Sequence, residues 1–154
     1  MCTIGLTTAS RPAQEQLMPE QDIVHRGPPD FPDLSGLTFL VVDDHADSLD
    51  VAVQLLQACG ATVATATSGA AALERLDRQI TDVVVTDLRM PVMDGVELLQ
   101  RIRARPHMSK VPVIALSAFH EKYMNGVGAF DRFFQKPLNI DTLGDAVLKL
   151  TAGR

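Results

Sequence analysis

The chain has 154 residues, 46% of them apolar and 5% aromatic, with a formal net charge of −5. That length fits one domain, and an acidic balance without a Lys/Arg block gives no charge-based case for a nucleic-acid or anionic-membrane partner. No apolar run is long enough to span a bilayer, no basic-then-apolar secretory layout opens the chain, and Cys2 and Cys59 form no zinc or redox motif. A reducing, cytoplasmic setting is expected.

Residues 1–35 carry Pro12, Pro19, Pro28, Pro29 and Pro32 among polar residues, without helical or alternating periodicity. They read as a flexible N-terminal extension, with the folded domain over 36–154. Leu37 to Val42 is an apolar run broken only by Thr38, and it ends in Asp43-Asp44. Leu49, Ala52, Val53 and Leu56 then follow helical spacing, with Gly60 as a stop. Ala61 to Ala66 reads as a second strand. Ser68 is placed to cap a helix with Ala72, Leu73 and Leu76 on one face. Val83 to Thr86 is the third strand. Asp94, with Glu97 three residues later, resembles a capping box, and Leu98, Leu99 and Ile102 form that helix's apolar stripe. Val111 to Leu116 is the fourth strand and Arg132 to Gln135 the fifth. Ile140, Leu143, Val147 and Leu150 mark a final helix.

Strands that are apolar on both faces, alternating with helices, describe a parallel α/β sheet covered on both sides. In such sheets the site lies beyond the carboxyl ends of the strands. Asp43 and Asp44 follow the first strand, Asp87 the third, Ser117 the fourth and Lys136 the fifth. Alone, each has an ordinary role: the acids as turn formers or helix caps, Ser117 as a turn hydroxyl, Lys136 as a solvated side chain. Independent turn residues would not converge on one edge. Asp94 keeps its role as a cap, and His45, His107 and His120 lack matching partner spacing and read as solvent-exposed.

Carboxylates gathered at one edge repel. Two unit charges about 4 Å apart cost roughly 4 kcal/mol at an effective dielectric of about 20. A cation, or one retained proton, relieves this. Carboxylates with room for water suit Mg²⁺, while paired His or Cys ligands for zinc are missing. Lys136 and the Ser117 hydroxyl could meet phosphoryl oxygens. Asp87, on a central strand, is the best-placed nucleophile for attack on phosphorus, giving an acyl phosphate.

VVDDHADS, VVVTDLRMPVMDGVELL, VIALSA and FFQKP, in this order, resemble the response-regulator receiver domain from Leu37 to about Thr151. The resemblance implies a flavodoxin-like sheet of order 2-1-3-4-5. It also implies a phosphoacceptor signalling protein rather than an enzyme, in a two-component system or phosphorelay. Asp87 would take a phosphoryl group from a histidine kinase or histidine phosphotransfer protein. Mg²⁺ would be held by Asp44, Asp87 and the main-chain carbonyl of Arg89, with Asp43 acting largely through water. Ser117 and Lys136 would contact the phosphoryl group, and Ser117 with Phe133 would form the switch to an unknown downstream protein. Arg89 and Phe119 occupy positions that tune phosphoryl lifetime in the family, and the Lys136-Pro137 bond resembles one usually cis there.

Two departures from the family carry expectations. Ser117 to Lys136 spans 19 positions, about three fewer than expected, so the fourth helix, between the fourth and fifth strands, should be short or irregular around His120 to Gly128. The chain also ends just after its last helix, as in a stand-alone receiver. Two alternatives stay open. One is a pseudo-receiver acting only as a binding module. The other is a haloacid-dehalogenase-like aspartate phosphatase, which Asp43-Asp44-His45 fits poorly because that family uses Asp-x-Asp.

Overall fold

A computed structural model describes residues 31–118 and 126–152. Five strands, β1 (Thr38–Val42), β2 (Thr62–Ala66), β3 (Val83–Asp87), β4 (Val113–Ser117) and β5 (Arg132–Gln135), form one parallel sheet of order β2-β1-β3-β4-β5. Among the described residues four α-helices accompany it: α1 (Ala46–Ala58), α2 (Gly69–Arg78), α3 (Gly95–Arg103) and α4 (Ile140–Thr151). This is the flavodoxin-like order expected from sequence.

Side chains alternate across a strand, and that alternation divides the core in two. Leu40, Val42, Val84, Val113 and Ala115 pack under α2 and α3, with Leu73, Leu76, Leu98 and Ile102. Phe39, Val41, Val83, Val85, Ile114 and Leu116 pack under α1 and α4, with Leu49, Leu56, Leu143 and Val147. The central strands are buried on both faces, which is why they read as continuous apolar runs.

The caps are local and specific. Ser68 accepts the Ala71 N–H, Asp94 the Glu97 N–H at 2.8 Å, and Asn139 those of Asp141 and Thr142. Glu97 also turns to Arg101, 2.8 Å away on the next turn. A 3₁₀ turn at Pro106–Met108, absent from the sequence reading, buries Met108 before β4.

The packed unit begins before residue 36, because Leu34 is fully buried and its N–H donates to the Cys59 carbonyl at 2.8 Å. Phe31 joins the same core, and Pro32 lies so close to Gly144 that a Cβ there would collide with it. Proline spacing suggested a leader, but an aromatic and a leucine within it find an apolar seat. The rest of the expected extension, residues 1–30, lies outside the described residues. Between β4 and β5 the described residues hold a 3₁₀ turn, Val127–Ala129, and no α-helix. Residues 119–125, including Phe119 and His120, lie outside them.

Candidate functional site

Parallel register delivers chemistry to one edge of the sheet. Asp43 follows β1 directly, and its N–H donates to Ala66 O, continuing the pairing with β2. Asp87 and Ser117 are the last residues of β3 and β4, and Lys136 is the first after β5. Asp43, Asp87 and Ser117 are all buried, at 4%, 8% and 1% exposure, unlike ordinary turn residues. The peptide bond Lys136-Pro137 is cis, as the resemblance implied.

Lys136 Nζ lies 2.7 Å from Asp43 Oδ2 and 3.7 Å from Asp87 Oδ2, with Ser48 Oγ at 3.5 Å. One ammonium group therefore serves two buried carboxylates and sits nearer the first. Burial pushes the Asp87 carboxyl above the ordinary carboxylate value. Asp43 and Asp44 push it further up, while Lys136 and the Leu88 N–H pull it down.

Asp43, Asp44, His45 and Asp87 each offer a ligand atom within 4.8 Å of the others. Asp44 Oδ1 is shut off from solvent and accepts no hydrogen bond, although His45 Nδ1 is 3.2 Å away. An occluded carboxylate oxygen without a donor is costly, and carboxylate oxygens at this spacing fit a small hard divalent cation. Ser117, Arg89, Ala118, Asp87 and Lys136 line a cleft of about 290 Å³ over this cluster. A more apolar cleft of about 390 Å³ runs beside it between α1 and the residues leading into α4.

Gly95 shows why the loop after β3 ends as it does. A Cβ there would come within 2.5 Å of the Asp87 carbonyl oxygen. The start of α3 therefore rests on the last peptide of β3, and only glycine permits that approach. Val92, in the same loop, is fully exposed and has φ 71°, a left-handed conformation unfavourable for a β-branched residue.

The structure thus gathers Asp43, Asp44, Asp87, Ser117 and Lys136, and places Arg89 at the rim. Phe133 stands apart, half-buried on β5 and packed against the core under α2 and α3. Sequence reasoning missed two neighbours. His45, set aside because no second histidine matched it, has Nδ1 within 3.3 Å of Asp43 Oδ1. Ser48 reaches Lys136 from the first turn of α1, a contact between residues 88 positions apart that no local spacing signals.

Comparison with known proteins agrees with this geometry. The response regulator receiver domain family matches residues 39–148, and the chain belongs to that family. The transcriptional regulatory protein ZraR of Escherichia coli is 35% identical over 120 residues, 75% of this chain and 26% of that protein. The signal transduction histidine-protein kinase BarA of Escherichia coli is 30% identical over 121 residues, 76% of this chain and 13% of that protein. The chain thus spans less than two thirds of either relative. Among solved structures, the response regulator TrrA of Thermotoga maritima in complex with Mg(2+)-BeF is 30% identical, with a TM-score of 0.68 over 74% of this chain and 98% of that one. The receiver domain of a Pseudomonas aeruginosa sensor histidine kinase, with magnesium in its active-site cleft, is 27% identical, with a TM-score of 0.70 over 77% and 99%. The protein is therefore a two-component signalling domain, homologous to the phosphoacceptor domains of regulators and kinases. The dehalogenase-like alternative falls away. No described helix is long and apolar enough to cross a membrane.

Proposed function

We propose that Asp87 accepts a phosphoryl group from a histidine kinase or histidine phosphotransfer protein and that the phosphorylated form controls contacts with a downstream protein, in the cytoplasm. The observation that carries this is a buried carboxylate at the end of β3, 3.7 Å from a lysine that an adjacent acid already holds at 2.7 Å. An Asp87 oxygen attacks phosphorus in line as the phosphorus–nitrogen bond of the donor breaks, and the departing imidazole keeps the electron pair. Lys136 and the Ser117 hydroxyl meet the phosphoryl oxygens that gather charge.

Mg²⁺ would be held by Asp44, Asp87 and the Arg89 carbonyl, with Asp43 acting through water, and would supply charge neutralisation to the phosphoryl group. The donor set fits it, since all three side chains offer carboxylate oxygens and one is occluded without a hydrogen bond. Once formed, the acyl phosphate draws Ser117 inward, and Phe133, half-buried beside β4, follows into the space left.

The test is incubation with Mg²⁺ and a small acyl phosphate. The expected outcome is a gain of one phosphoryl group, stable to acid and labile to base, that Asp87→Asn abolishes. Mg²⁺ binding without that gain would instead identify a receiver that only binds partners.

A further inference from the structure

We infer that residues 23–26, Ile23-Val24-His25-Arg26, seat in the apolar cleft between α1 and the residues leading into α4, so that the chain covers this cleft with its own N-terminal segment. The cleft, about 390 Å³, has Val51, Ala52, Leu116, Pro137 and Leu138 among its walls. Val51 is 53% exposed there, an aliphatic side chain on a helix whose other face is core.

The path of the chain brings that segment to the cleft. Leu34 to Leu37 form a turn closed by the Leu37 N–H on the Leu34 carbonyl at 3.2 Å, with Gly36 at φ 85° in its third position. The chain before the turn therefore runs opposite to β1 and arrives from the carboxyl-end edge of the sheet. It comes down the α1 and α4 side, because Phe31 packs into that core and Pro32 lies against Gly144, in the second turn of α4. Helical rise from Ile140 to Gly144 and two extended residues before it place Leu138 within about 13 Å of Gly144. Val24 stands seven positions before Phe31, a reach of about 22 Å at roughly 3.1 Å per residue.

Composition chooses the occupant. α1 carries Asp47 and Asp50 and no Lys or Arg, and α4 adds Asp141 and Asp145 against a single Lys149. Ile23 and Val24 are the aliphatic residues nearest Phe31 on its N-terminal side, and Arg26 beside them is one of two arginines, with no lysine, in residues 1–30. An aliphatic pair for the apolar walls and a cation for Asp47, which also lines the cleft, complement this surface. A tether this short gives an effective concentration of about millimolar, so a contact too weak to hold a free peptide is populated. Asp87 and Lys136 line the same cleft, so a protein approaching Asp87 along α1 must displace the segment. A small molecule still enters through the opening lined by Arg89 and Ser117. Only this gating rests on the phosphoacceptor reading above; the docking does not.

The full chain is prepared with the photo-crosslinker p-benzoylphenylalanine in place of Val24, irradiated over a range of protein concentrations and mapped by tandem mass spectrometry. The expected result is an intrachain crosslink at or beside Val51 or Leu138, with a yield independent of concentration. Arg26→Glu should lower the yield about two- to fivefold, the scale of one exposed ion pair, and adding Asp47→Lys should restore it. Val51→Glu should lower it by at least as much, with circular dichroism confirming that this exposed substitution leaves the fold intact. Crosslinks absent or elsewhere on the chain would overturn the inference, as would a yield indifferent to Val51→Glu. So would a crosslinked dimer whose share grows with concentration, which would make a second copy the occupant.

Discussion

The two ends of the sheet use the same residue type in opposite ways. At the end where the strands begin, Asp82 accepts the Thr38 N–H at 2.8 Å, and Asp131 accepts the Val113 N–H at 2.8 Å and Arg103 at 2.9 Å. Each carboxylate there stitches the start of one strand to a neighbouring segment. At the carboxyl end, Asp43 and Asp87 are more deeply buried and compete for Lys136. Acids that finish the fold's hydrogen bonding stabilise it. Acids held close together without enough donors oppose it.

The sharpest break of that comparison is Asp131→Ala. It strands the Val113 N–H and the Arg103 guanidinium, so urea unfolding should show a loss of about 1.5–3 kcal/mol while Mg²⁺ affinity stays unchanged. Gly95→Ala should cost about 1–3 kcal/mol by forcing α3 off the Asp87 peptide. Unlike the change at Asp131, it should weaken Mg²⁺ binding as well, and an unaltered affinity would refute the link between α3 and the site.

Asp87→Asn should act with the opposite sign in chelator-treated buffer. Burial raises the native Asp87 pKa, so its contribution to stability is full below the ordinary carboxylate value and is lost as pH rises through the raised one. At neutral pH the variant should therefore melt a few degrees higher than wild type, and the gain should vanish in acid below about pH 4. A variant that melts lower at neutral pH would show that Lys136 outweighs burial. Smallest of all, Val92→Gly should relieve the left-handed strain at the exposed loop. The net gain should be under about 1 kcal/mol, because the added glycine flexibility offsets part of it.

The sheet was legible because each strand's apolar run and each helix's 3.6-residue stripe report burial directly. Leu98, Leu99 and Ile102 are buried where spacing put them, and Ser68 and Asp94 cap where their side chains allow. The cluster of strand-end acids was legible for the same reason, since a parallel sheet turns sequence position into an edge. What stayed hidden depends on distances across the fold. Nothing in the order of residues shows that Lys136 leans to Asp43, that His45 Nδ1 faces two acids, or that Gly95 touches the Asp87 carbonyl. Leu34 was hidden differently, because a short apolar group among prolines has no period to betray its seat.

The bond from the Leu34 N–H to the Cys59 carbonyl makes residues 31–35 a strap fastened across a fully buried thiol. Burial also pushes the Cys59 thiol up, with Asp141 and Asp33 adding to the effect, so little thiolate forms while the strap is seated. The rate at which Cys59 is alkylated in the intact protein is therefore a gauge of how often the strap lifts, readable without adding any label to the chain.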